Sequence, residues 1–140
     1  MTNSYIRLYQ QVIQIQTTGK TLCQITPQVQ TIITESEIKT GICNLFIRHT
    51  SASLLIQEED AKPDVETFFA KLVPENGQYL LAGQGLDDMP AHIRSALTHT
   101  SEQIPVNNGI LQLGRLQDIY IWEHRQSGYT REVIVNILGY

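Results

Sequence analysis

The chain has 140 residues, 41% of them hydrophobic and 17% charged, with ten basic against fourteen acidic side chains and a formal net charge of −4. That length supports one core rather than two, and nine Gly and five Pro exclude collagen-like and disordered chains. A sequence pI near 5.5 argues against neutralising phosphate backbones as the main task, so nucleic acid is set aside as a partner.

From Tyr5 to Gln16, Ile6 and Leu8 and then Ile13 and Ile15 alternate with Arg7, Tyr9 and glutamines at period two. This predicts a long opening strand with a slip near Gln10 to Val12, read as a bulge. The segment Met1 to Tyr9 has neither a basic start nor an apolar stretch, and no apolar run is long enough for a bilayer. A cytoplasmic protein with no membrane partner is expected. Cys23 and Cys43 form no Cys-x-x-Cys and are expected to be reduced thiols.

Thr26-Pro27 signals a helix start, with Val29, Ile32 and Ile33 following at i, i+3 and i+4, and about a dozen residues are expected to be helical before Gly41. Ile42 to Arg48 reads as a strand and Ser53 to Gln57 as a shorter one. Val65, Phe68, Phe69 and Leu72 mark a second amphipathic helix between Pro63-Asp64 and Pro74. Asp87-Asp88-Met89-Pro90 opens a third, with Ile93, Ala96 and Leu97 expected to face inward and an end near His99. After the Asn107-Asn108-Gly109 turn come Ile110 to Leu113, Asp118 to Arg125 and Arg131 to Leu138, the last two read as a hairpin around Gln126-Ser127-Gly128. The class is α+β: a two-layer β-sandwich of mainly antiparallel strands with about three helices at one side.

Polar residues interrupt the apolar rows at a few places. His49 ends the row Cys43, Leu45, Ile47, and Glu123 continues the row Ile119, Ile121, because alternate side chains share a face. A carboxylate on such a row is costly unless paired or ligated. Either Glu123 binds a ligand, or it pairs internally with Arg125 or sits at a strand end that has reached solvent. The turn His49-Thr50-Ser51-Ala52-Ser53-Leu54 can offer donors to an anion or satisfy its own backbone. Asp87 and Asp88 suit a helix cap, and His92 lies one turn on, directed at a cleft. Glu58-Glu59-Asp60 reads as a solvated dipole partner or, alternatively, a cation site. Gly83-Gln84-Gly85 is too short for a nucleotide fingerprint.

Taken together, His49-Thr50-Ser51-Ala52-Ser53-Leu54, Asp87-Asp88-Met89-Pro90-Ala91-His92-Ile93, Ile104-Pro105, Leu113-Gly114 with Gln117, and Glu123-His124-Arg125 resemble the YjbQ family from about Ile42 to the carboxyl terminus. The resemblance implies an α+β homotrimer with a site near His49, the Asp87/Asp88 to His92 segment and Glu123. It implies secondary thiamine-phosphate synthesis, joining a hydroxymethylpyrimidine diphosphate to a thiazole phosphate. Carried over by position, Glu123, Arg125 and Asp88 would be catalytic, Thr50 and Ser51 would bind phosphate, and His49 and His92 would hold a divalent metal ion, Mg or Zn. The family's Tyr-x-His is Tyr79-Leu80-Leu81 here, Gln84 stands for a Glu, and Gly-Thr-Trp-Gln-Gly becomes Gly114-Arg115-Leu116-Gln117-Asp118. These departures favour an alternative expectation, a non-catalytic trimeric module that binds a small phosphorylated metabolite or a metal ion. Asp118 to Arg125 and Arg131 to Leu138 are apolar on both faces, as expected where one face meets the core and the other a neighbouring subunit.

Overall fold

A computed structural model describes residues 5–81 and 84–140. Met1 to Ser4, and Gly83 of the Gly83-Gln84-Gly85 segment, lie outside the described residues. The strands β1 (Arg7–Gln16), β2 (Thr21–Gln24), β3 (Gly41–Ile47), β4 (Ala52–Gln57), β5 (Ser101–Asn107), β6 (Ile110–Leu111), β7 (Asp118–Glu123) and β8 (Thr130–Gly139) form two antiparallel sheets. The larger runs β1-β8-β3-β5-β6 and the smaller β2-β7-β4. Their facing sides bury Cys43, Leu45, Ile47, Leu54, Ile119, Ile121, Val133, Val135 and Ile137 in one continuous core. Helix α1 (Thr26–Ser36) adds Val29, Ile32 and Ile33 to it. The α+β class with three helices and mainly antiparallel strands therefore holds.

Several local expectations are corrected. β1 pairs with β8 without interruption from Arg7↔Gly139 to Gln16↔Thr130, so it has no bulge. The slip in its pattern arises because Leu8 and Val12 point outward while Ile13 and Ile15 point inward. Thr26 does not cap α1; its hydroxyl donates to Asp118 Oδ1 at 3.0 Å and accepts from the Ile119 N–H at 2.9 Å, joining the helix to β7. The helix ends at Glu37, whose φ of 60° is left-handed, several residues before Gly41. β7 and β8 are not a hairpin, because they lie in different sheets and the segment between them crosses from one layer to the other. Gly128 makes that crossing possible: a Cβ there would stand 2.0 Å from the Thr17 carbonyl oxygen.

Two further helices cover the outer side of the small sheet. α2 (Lys62–Leu72) lays Val65 and Phe69 on Leu22, Tyr120 and Trp122, with Phe69 edge-on to Trp122 at 5.1 Å. Phe68 and Leu72, expected to face inward, are exposed. α3 (Asp88–Leu97) likewise turns Ala96 and Leu97 outward and buries Asp88, Arg94 and Ser95. A helix that buries its polar side needs partners for it: the Ser95 hydroxyl donates to the Ala52 carbonyl at 2.8 Å and Arg94 Nη2 to the Val73 carbonyl at 2.6 Å. The second face of β7 is thus covered by α2 of the same chain. The second face of the large sheet stays open and carries Leu8, Val12, Ile42, Phe46 and Leu138, each between 45% and 65% exposed.

Candidate functional site

The residues singled out by sequence lie in one hydrogen-bonded network with two halves. In the first, Glu123 is 0% exposed at the end of β7 and accepts four hydrogen bonds: from Thr17 Oγ1 at 2.5 Å, Arg131 Nε at 2.7 Å, Arg131 Nη2 at 2.5 Å and the Arg125 N–H at 3.1 Å. A buried carboxylate so surrounded is held by its arginine rather than presented to a substrate. Its ion-pair partner is Arg131, not the Arg125 side chain. Arg131 sits on the buried row of Val133, Val135 and Ile137, the same wrong-face signal that marked Glu123, and that signal could have found it. Arg131 Nη2 also donates to Ser51 Oγ at 3.0 Å and the Ser51 carbonyl at 3.3 Å.

His49 faces this pair. Its Nε2 accepts the Glu132 N–H at 2.8 Å, which places the proton of the neutral ring on Nδ1, 3.4 Å from Arg131 Nη1. Burial, reinforced by the Arg131 charge, pushes the His49 pKa below its ordinary value.

In the second half, Arg125 gathers the start of α3. Its Nε donates to Asp87 Oδ2 at 2.9 Å, Nη1 to Asp88 Oδ1 at 3.0 Å and Nη2 to the Gln84 carbonyl at 2.9 Å. Asp87 occupies the cap position without capping the helix; it instead takes Arg125 and the Gln126 N–H, and the Arg125 hydrogen bond lowers its pKa. His92 donates from Nδ1 to the Asp88 carbonyl at 2.8 Å, leaving Nε2 to accept the Thr50 hydroxyl at 3.1 Å. The halves meet through the Arg125 backbone and the His49-to-Ser51 turn.

Two clefts open on this network. One of about 460 Å³ is lined by Arg48, His49, Thr50, Ser51 and Arg131, the other of about 360 Å³ by Leu81, Gln84, Asp88 and His92. Thr50 lines the first and His92 the second, so their hydrogen bond stands between the two.

A divalent metal does not fit these side chains. His49 Nε2 is taken by a backbone donor and its Nδ1 faces a guanidinium; Asp88 and Glu123 are held by arginines. His92 Nε2 already accepts the Thr50 hydroxyl, and even if that hydroxyl turned away one ligand does not make a site. Among the described residues no three His, Cys, Asp or Glu side chains converge. Sequence reasoning also missed His124, buried beside Glu123 with Nε2 at 2.9 Å from Ser53 Oγ. The apolar flanks of β7 gave no hint that its last residues look into a cavity.

Comparison with known proteins places this geometry among relatives. The family model described as UPF0047 protein YjbQ-like matches residues 11–140. A UPF0047 protein of Synechocystis is 54% identical over 95% of this chain and 93% of its own length. The UPF0047 protein YjbQ of Escherichia coli O157:H7 is 40% identical over 73% of this chain and 76% of its own. The crystal structure of a YbjQ-like protein of unknown function from Sulfolobus solfataricus superposes with a TM-score of 0.91 at 26% identity, covering 97% of this chain and 100% of that one.

Proposed function

Because the chain belongs to the UPF0047 YjbQ-like family, we propose that it binds a small phosphorylated metabolite at the two clefts flanking the Thr50–His92 hydrogen bond, as one subunit of a homotrimer. The observation that carries this reading is the state of the carboxylates. Arg131 neutralises Glu123 and Arg125 ties up both Asp87 and Asp88, so the groups left to meet a ligand are the Thr50 and Ser51 hydroxyls, His92 and the exposed Arg48, whose Nη1 lies 3.6 Å from Glu132 Oε2. Such a set recognises an anion rather than a cation. Ser51 donates to phosphate oxygens, and Thr50 does so by turning its hydroxyl away from His92 Nε2. Arg131 and Arg125 position this set from behind, Arg131 by holding Ser51 and Arg125 by fixing the start of α3.

A second reading is favoured by there being two adjacent clefts: one for the pyrimidine diphosphate and one for the thiazole phosphate. The thiazole nitrogen would form a bond to the pyrimidine methylene carbon as its C–O bond breaks and diphosphate departs. The homotrimer rests on the open apolar face of the large sheet, and the cytoplasmic setting on free Cys23 and Cys43. No described helix is long and apolar enough to cross a membrane.

Thermal unfolding with each of the two precursors, together with a product assay for thiamine phosphate, tests both readings. The first expects a ligand-dependent stabilisation, ~2.7 kcal/mol at a hundred times Kd, that His92→Ala removes, with no product. Product formation lost in His92→Ala selects the second. If neither precursor, nor a wider set of phosphorylated metabolites, shifts unfolding, both are abandoned.

A further inference from the structure

We infer that the chain carries a second, independent binding site, for a small aromatic anion, in the cavity between α2, α3 and the end of β7. The cavity holds about 290 Å³, enough for a single ring with one substituent. Its floor is the buried end of β7, Trp122 and His124, and its rim is the exposed Lys20, Thr67 and Ala70. Thr50, Ser51 and His92 do not line it, and Glu123, which does, already has all its bonds within the fold.

Two buried nitrogens of its lining have no hydrogen-bond partner among the described residues. His124 is 1% exposed, its Nε2 lies 2.9 Å from Ser53 Oγ, which in turn accepts Thr98 Oγ1 at 2.6 Å, and its Nδ1 is unpartnered. The one Thr98 hydroxyl proton is contested by the Arg94 carbonyl at 2.9 Å, so Ser53 can accept from or donate to Nε2, and the unpartnered Nδ1 is correspondingly an acceptor or a donor toward the cavity. Ser53 is fully buried, so this chain of hydroxyls orients the ring and supplies no nucleophile. Arg94 is 6% exposed and donates from Nη2 to Val73, while its Nε–H is unpartnered. The Arg94 Nε–H is a buried donor left unmade, and a ligand oxygen would satisfy it.

The charges agree in sign. Lys20 and Arg94 share one carboxylate, Glu75, with Lys20 paired to it and Arg94 Nη1 at 3.8 Å. Glu66 of α2 stands half-buried at the rim and suits a substituent that donates a hydrogen bond. Burial first, and then Arg94, Arg131 and Lys20, push the His124 pKa down to about 3, so the ring is neutral and sits in a positive field. Phe69 and Trp122, edge to face at 5.1 Å, supply an aromatic wall. An anionic group at Arg94, His124 and Lys20 with its ring against Trp122 satisfies every feature at once.

Trp122 is the one tryptophan in the sequence, so its fluorescence reports on this cavity directly. The full chain is titrated with phenyl phosphate, benzyl alcohol and inorganic phosphate. The expected result is a saturable change with phenyl phosphate, at least tenfold weaker with either of the other two. Arg94→Gln should weaken it at least tenfold. Because Arg94 also holds Val73, Lys20→Met at the exposed rim is the second variant, expected to weaken binding severalfold with an unchanged circular dichroism spectrum. His92→Ala should leave the titration unmoved even if it removes the precursor response of the other clefts. Three outcomes would overturn the inference: no saturable change with phenyl phosphate, an equal response to benzyl alcohol, or indifference to both cation substitutions. Loss of the response in His92→Ala would also overturn it, by assigning the signal to the other clefts.

Discussion

Glu123 shows how a residue's burial decides its role. A carboxylate with 0% exposure and two bonds to Arg131 is half of an ion pair whose desolvation has been offset only because both partners are present. Glu123→Gln leaves Arg131 buried without its counter-charge and is expected to lower stability by about 3–5 kcal/mol in urea unfolding, with Glu123→Gln/Arg131→Met recovering most of the loss. His124 gives the complementary case of a base kept neutral. Its pKa falls from the ordinary 6.5 to about 3 in the folded chain, so below 6.5 the unfolded chain binds a proton that the folded one refuses. Its contribution is therefore complete above about pH 6.5 and is lost towards pH 3, at ~1.4 kcal/mol per pH unit. His49 shifts in the same direction. Urea midpoints measured at pH 7, 6 and 5 should fall steadily, and His124→Gln should flatten the fall.

Among the elements, the start of α3 is held from outside rather than by its own cap. Arg125, reaching across from the end of β7, supplies three bonds to Asp87, Asp88 and Gln84. Charge-assisted bonds of this kind are worth about 1.5–3 kcal/mol, so Arg125→Met should speed amide exchange across residues 84–92 by roughly ten- to a hundredfold while the strands of the core stay protected. Sequence patterns located all three helices because Pro27, Pro63 and Pro90 with apolar spacing are local signals. They missed β2 and β5, whose polar residues gain strand structure only from partners far along the chain, Glu123 to Tyr120 of β7 for β2 and Gly41 to Phe46 of β3 for β5. The β7–β8 hairpin was misread for the same reason: a Gly-containing turn between two apolar runs specifies a reversal, not which sheet the second run joins. Within the site, His49, Glu123 and Arg131 were legible from the rows they interrupt, but Asp87 acquired its part only when the distant end of β7 brought Arg125 to it.

For the whole molecule, the open face of the large sheet is the feature that a single chain leaves unresolved. Two apolar rows cross the adjacent strands β1, β8 and β3, Leu8-Leu138-Ile42 and Val12-Ile134-Phe46, with the polar row Gln10-Asn136-Asn44 between them, and exposed apolar rows of this kind are costly in water. Phe46→Glu, 45% exposed in the isolated chain, should convert a species near three times 15.9 kDa into monomers by sedimentation velocity, without unfolding them. A wild-type chain that sediments as a monomer would end the trimer proposal.

The same sheet sets the order in which the molecule can be made. Its second strand, β8, lies between β1 and β3 and pairs with both, yet follows every other described strand in sequence. During synthesis β1 and β3 emerge with no shared neighbour, and Arg131, which neutralises Glu123, arrives with β8. Until then the chain exposes two unpaired edges and an uncompensated carboxylate. We therefore expect no protease-resistant large sheet on nascent chains halted before Thr130, so that folding is committed by the final strand.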